Sequence, residues 1–99
     1  MPRELLTITG GAGRIGSALT PLLRDQYRIR LADRREPPAG VDPDEFVLGD
    51  VADLAAAERA VTGASAVVHL AGNPNTAATW DEVRPNNIDG TFNVFEAAR

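Results

Sequence analysis

The stretch Thr7-Ile8-Thr9-Gly10-Gly11-Ala12-Gly13-Arg14-Ile15-Gly16 decides how this chain reads. The apolar run Leu5 to Ile8 predicts a buried strand. The glycines strip the turn of side chains, and Ser17-Ala18-Leu19 opens a helix. That order leaves backbone N–H groups free to face a diphosphate at a helix N-terminus. A purely structural turn could carry the same spacing. The motif therefore gains meaning only if the rest of the chain completes a site.

Outward from this turn, strand and helix patterns alternate. Glu4 to Thr9 reads as the first strand. A helix is expected from Arg14 to Arg24, with Ile15, Leu19, Leu22 and Leu23 on its apolar face and a slight irregularity at Pro21. Tyr27 to Ala32 reads as a second strand ending at Asp33, and the proline-punctuated Arg34 to Glu45 as a loop. Phe46 to Leu48 is a short third strand. Asp53 is positioned to cap a helix over Leu54 to Val61, which Gly63 stops. Ala66 to Leu70 is a fourth strand, followed by a turn at Asn73-Pro74-Asn75. From Thr79 the pattern is helical to the end through Trp80, Val83, Ile88, Phe92, Phe95 and Ala98, with a kink or a fresh start expected at Pro85. This rhythm predicts an α/β fold, the first half of a Rossmann-like doubly wound parallel sheet with strand order 3-2-1-4.

Composition narrows the class. The 99 residues allow one domain, with ordinary hydrophobic (43%) and charged (24%) content for a globular chain. A formal net charge of −4 opposes a nucleic-acid or anionic-membrane partner held by a basic face. No apolar run approaches a membrane span and no signal-peptide core is visible, so a cytoplasmic location is expected. There is no cysteine, and all ten basic residues are arginine. No chemistry that needs a lysine ammonium is available to this chain.

Four predicted strand ends converge on one crevice. Asp33 ends the second strand about 20 residues after the glycine turn, where a carboxylate can accept both hydroxyls of an adenosine ribose. Asp50, after the third strand, is placed either to meet an adenine amino group or to serve as a plain loop aspartate. Leu70-Ala71-Gly72 ends the fourth where a small backbone must pass close to ribose and diphosphate. A nucleoside-triphosphatase loop needs Gly-Lys-Ser/Thr; Gly16-Ser17 supplies the spacing without the lysine, and that reading fails. A dinucleotide remains. The carboxylate of Asp33 favours NAD over NADP, whose 2′-phosphate it would repel, although Arg34 and Arg35 follow it directly. By strand alternation His69 is expected to be a core histidine, Tyr27 a core or strand-edge residue and Trp80 a core residue. Asp42, Asp44 and Glu45 read as a solvated acidic loop.

Thr9-Gly10-Gly11-Ala12-Gly13-Arg14-Ile15-Gly16 resembles the Thr-Gly-x-x-Gly-x-x-Gly signature of the extended short-chain dehydrogenase/reductases, the NAD-dependent epimerase/dehydratase family. On that alignment Gly10, Gly13 and Gly16 are the matching glycines. Asp50-Val51-Ala52-Asp53, His69-Leu70-Ala71-Gly72 and Asn87-Ile88-Asp89-Gly90-Thr91 through Ala98 resemble the family's later motifs, in order. The Leu31-Ala32-Asp33 start and short proline-rich loop look most like its uronate dehydrogenase branch. The resemblance implies a dinucleotide site built from Gly10, Gly13, Arg14, Ile15, Gly16, Asp33, Asp50, Val51, Leu70, Ala71, Gly72 and Asn87. Asn87 would lie near the nicotinamide half and support the active-site hydrogen bonds.

The family's catalytic centre resembles Ser/Thr with Tyr-x-x-x-Lys. Here the only tyrosine, Tyr27, has Leu31 four residues on, and no lysine exists. The expectation is an N-terminal NAD-binding portion, residues 1–99, of an oxidoreductase or epimerase acting on a sugar, sugar acid or nucleotide sugar, inactive alone. The alternative is a stand-alone dinucleotide-binding or regulatory module. The apolar fourth strand at an open edge and the apolar final helix further predict a piece of a larger protein that self-associates.

Overall fold

A computed structural model describes residues 3–99 of the chain. Four strands, β1 (Glu4–Thr9), β2 (Tyr27–Asp33), β3 (Glu45–Leu48) and β4 (Ala66–His69), form one sheet in the order β3-β2-β1-β4. Every neighbouring pair is parallel. Helix α1 (Arg14–Leu23) connects β1 to β2, and α2 (Leu54–Val61) connects β3 to β4. The chain then runs through α3 (Trp80–Val83), a π-helical segment (Arg84–Asp89) and α4 (Gly90–Ala98). The expected fold and strand order are present, and Glu45 joins β3.

Period-two alternation along β1 sorts side chains onto two layers. Leu6 and Ile8 face Ile29 and Leu31 of β2, with Leu19 and Leu23 of α1 packed over them. On the opposite face Thr7 is fully buried and its hydroxyl donates to the Ala60 carbonyl at 2.7 Å. Arg30, beside Thr7 in the sheet register, donates to the same carbonyl at 2.9 Å and to that of Thr62 at 2.7 Å. Two polar side chains on the sheet thus satisfy carbonyls that α2 would leave bare at its C-terminus. Asp53 caps the other end as expected, accepting the Ala55 N–H at 3.1 Å.

Several expectations need correction. Helix α1 ends at Leu23, one residue early, and continues through Pro21 unbroken. Its inner face is Gly16, Leu19, Thr20 and Leu23, while Ile15 and Leu22 lie roughly 100° round the helix and stay exposed. Strand β4 ends at His69 rather than Leu70. The acidic loop is exposed at Asp42 and Asp44 as expected, and it is also tied down: the Asp44 carboxylate accepts the Ile29 N–H at 2.8 Å, Arg24 lies 3.4 Å from Asp42, and Glu45 pairs with Arg28 and Arg30. Tyr27, half-buried, packs against the core as expected.

The last helix differs most. At Pro85 the helical pattern changes: a π-helical segment begins at Arg84, in which the Gly90 N–H reaches back five residues to the Pro85 carbonyl. Trp80 is 63% exposed rather than core, because α3 sits where the β4 connection leads and is not pressed on the sheet. The residues of α4 that face α2 are Val94 and Ala97, with Gly90 packed on Val51, and not the Phe92–Phe95 stripe. Ile8→Ala, in the centre of the sheet, is expected to cost about 2–5 kcal/mol in urea denaturation, whereas Trp80→Ala should stay within about 0.5 kcal/mol of the parent.

Candidate dinucleotide-binding crevice

At the carboxyl end of the sheet the strand ends splay around a crevice of about 940 Å³. Its floor is the glycine turn. The N–H groups of Gly10 and Gly11 both donate to the Ala32 carbonyl, at 2.8 and 3.3 Å, locking the turn to the end of β2. Gly10 adopts a φ of +67°, and a Cβ there would lie 2.7 Å from the Ala71 nitrogen. Both facts demand glycine. A Cβ at Gly16 would fall 2.5 Å from the Gly11 Cα, so α1 can approach the turn only through a bare backbone. Gly11 itself packs toward the Leu31 side chain in the core and does not line the crevice, whereas Gly10, Gly13 and Gly16 do.

The first intrahelical bond of α1 runs from the Ser17 N–H to the Gly13 carbonyl at 2.9 Å, and Gly13 brings no capping side chain. The amides of Arg14, Ile15 and Gly16 therefore have no acceptor within the helix and present the positive end of its dipole to the crevice. Such an end suits a bridging diphosphate.

The carboxylate of Asp33 stands beside this turn. Its Oδ2 accepts the Ala12 N–H at 2.9 Å and its Oδ1 the Arg34 N–H at 2.7 Å. No local pattern announces the first bond, which ties the Asp33 carboxylate to the glycine turn. Oδ1 also accepts the Arg35 N–H at 3.3 Å, so the lone pair left for a hydroxyl is on Oδ2. Asp50 accepts the Ala52 N–H at 2.9 Å, and its other oxygen lies 3.9 Å from the Arg34 guanidinium across the mouth. Val51, Leu70, Ala71 and Gly72 complete the lining.

Asn87 does not reach the crevice wall; its neighbour Asn86 does. The Asn87 side-chain amide closes on the backbone of Asn73, accepting its N–H at 2.5 Å and donating to its carbonyl at 3.1 Å. The π-turn makes this possible by shifting the helical phase at Asn86-Asn87, a shift no α-helical pattern could foretell. Arg34, Arg35, Gly49, Asn73 and Pro74 also line the space. Asn73 and Pro74 belong to a turn that was legible without its placement. Asn93 anchors α4 by donating to the Val51 carbonyl at 2.9 Å. Among the described residues no cluster of acidic, histidine or cysteine side chains could hold a metal, and no helix is long and apolar enough to cross a membrane.

His69 lies behind the crevice with both ring nitrogens engaged, Nδ1 at 2.6 Å from the Thr9 hydroxyl and Nε2 at 3.1 Å from that of Thr91. Burial lowers its pKa below the ordinary 6.5. The neutral ring is therefore the folded form, and the unfolded chain takes up the proton first on acidification. Stability is fully present above about pH 6.5 and falls as pH drops toward the lowered value. Urea titrations between pH 7.5 and 5 should show this loss, and His69→Gln should flatten that part of the profile.

The model of the NAD dependent epimerase/dehydratase family matches residues 6–99. The chain is 45% identical over 97 residues to an NAD-dependent glucose-6-phosphate dehydrogenase of Haloferax volcanii, covering 92% of this chain and 37% of that protein. It is 38% identical over 100 residues to a uronate dehydrogenase of Pseudomonas syringae pv. tomato, covering 99% and 36%. A mutant uronate dehydrogenase from Agrobacterium tumefaciens, crystallised with NAD, superposes with a TM-score of 0.84 at 33% identity over 97% of this chain and 36% of that one. The chain thus spans little more than a third of the length of the proteins it matches.

Proposed function

The chain belongs to the NAD-dependent epimerase/dehydratase family, and from that premise we propose that it is the NAD-binding portion, residues 1–99, of a dehydrogenase acting on a sugar or sugar acid. The observation that carries the proposal is the juxtaposition of Asp33 with the glycine turn. One carboxylate oxygen braces the Ala12 amide while the bare amides of α1 begin two residues later. A ribose and a diphosphate bound side by side need these two features side by side.

In this reading the diphosphate lies over Gly10, Gly13, Arg14, Ile15 and Gly16, and the adenosine ribose hydroxyls donate to Asp33. Asp50 and Val51 flank the adenine. The backbone of Leu70, Ala71 and Gly72 passes beneath the dinucleotide, and Asn87 holds Asn73 on the nicotinamide side. The bound nicotinamide would supply a hydride acceptor; the chain's own residues orient it and screen it from water. Acid–base chemistry at the substrate has no candidate here, since the Tyr-x-x-x-Lys pair has no counterpart among these residues. We accordingly assign no turnover to the chain alone.

The similarity of the chain to a glucose-6-phosphate dehydrogenase and a uronate dehydrogenase supports a sugar or sugar acid as the parent substrate. A regulatory dinucleotide module is the second reading. The exposed Ile88, Phe92 and Phe95 support self-association through the last helix, with the open β4 edge as a second surface. A cytoplasmic location belongs to the same proposal.

Calorimetric titration with NAD should give saturable heat, and Asp33→Ala should weaken binding at least about tenfold, as loss of charged hydrogen bonds to a hydroxyl pair implies. An absence of heat with NAD, NADH and NADP would refute the site. Light scattering at rising concentration should show dimers or larger species, and Phe92→Ser with Phe95→Ser should return the chain to monomer.

A further inference from the structure

Behind the crevice, one histidine joins two parts of the site that lie on different elements. The Thr9 hydroxyl, at the end of β1, accepts the N–H groups of Leu70 at 3.1 Å and Ala71 at 3.3 Å. The Leu70 N–H is shared with the Thr9 carbonyl, also at 3.1 Å, and the hydroxyl's single proton has Nδ1 of His69 at 2.6 Å as the acceptor in reach. On the far side the Thr91 hydroxyl donates to the Asn87 carbonyl at 2.6 Å. Its proton is spent, and it can only accept from Nε2 of His69 at 3.1 Å. The accounting closes for one state of the ring: neutral, protonated on Nε2. A proton on Nδ1 would give the Thr9 oxygen a third donor and leave its own hydrogen without an acceptor. Moving the ring proton off Nε2 would set two lone pairs against each other at Thr91.

We propose that His69, held as the Nε2–H tautomer by Thr9 and Thr91, is a positioning residue that keys the β1–β4 floor of the crevice to the π-turn carrying Asn87. Through Thr9 it fixes the amides of Leu70 and Ala71, and hence the backbone against which Gly10 closes. Through Thr91 it fixes the Asn87 carbonyl, and Asn87 in turn holds both polar backbone groups of Asn73. The ring gives the two ends a side-chain connection beside the backbone route through Gly72 and Asn73. The lowered pKa of His69 accords with the neutral state. The consequence for a dinucleotide rests on the function proposed above; the relay itself does not.

The chain has a single histidine, so the test is unambiguous. Long-range nitrogen–proton NMR of the ligand-free chain at pH 7.5 should show Nε2 as the protonated ring nitrogen and Nδ1 as the bare one. A protonated Nδ1, or two nitrogens averaged by exchange, would overturn the proposal. Thr91→Val should speed hydrogen exchange of the Ala71 amide about tenfold, the worth of one hydrogen bond, although the Thr91 side chain bonds to His69 and Asn87 and not to that amide. Thr91→Ser, which keeps the hydroxyl, should restore the parent rate. Unchanged Ala71 exchange in folded Thr91→Val would also overturn it. Failure of NAD to bind, with the tautomer and the exchange effect intact, would refute the assigned function and leave the relay standing.

Discussion

Everything at the carboxyl edge of this sheet depends on two backbones touching. Gly10 and Ala71 approach so closely that a methyl group on the former would fall within 2.7 Å of the latter's nitrogen. The contact has no side chain to adjust, and its geometry must be imposed from outside. Thr9 does so from below by accepting the Leu70 and Ala71 amides, and Ala32 from the side by accepting those of Gly10 and Gly11. The floor of the crevice is held because the amides of Gly10, Gly11, Leu70 and Ala71 are each bonded to a neighbouring strand.

The layers above and below stabilise the same edge by different means. On one face Ile8, Ile29 and Leu31 are wholly removed from water and covered by α1. Burying each such side chain contributes about 1.5–3 kcal/mol. On the other face alanines bring α2 close, and the stabilisation shifts toward hydrogen bonds: Thr7 and Arg30 bind the last carbonyls of the helix. This division lets β1 carry threonines at positions that a uniformly apolar strand would fill with valine. One of them, Thr9, then becomes available to the site.

The sheet was legible because period-two alternation and glycine punctuation are local signals. Leu6, Ile8, Ile29 and Leu31 announce their own strands, and the order 3-2-1-4 follows from the connections. The crevice was legible at the level of strand ends, since a parallel sheet must gather them at one edge. The hydrogen bonds between those ends were hidden. That Asp33 braces Ala12, or that Asp44 anchors Ile29, depends on side-chain directions across 21 and 15 residues of separation. The last helix misled for a different reason. An apolar stripe is evidence for a buried face only when something covers it, and Phe92 and Phe95 remain 64% and 70% exposed. His69 was placed as a core residue by alternation, but nothing in its neighbours announced the two threonines that fix its proton.

The π-turn has a consequence for how the two ends of the final helix are set. An ordinary α-helix transmits its phase rigidly, so a rotation that suited Val94 against Ala57 would dictate where every earlier side chain points. The wider turn at Arg84–Asp89 inserts one residue of slack into that screw. The Gly90–Ala98 end can stay threaded against α2 while the Trp80 end follows the β4 connection. Asn87 sits at the joint, where the helix is free to point a side chain that neither half could direct alone.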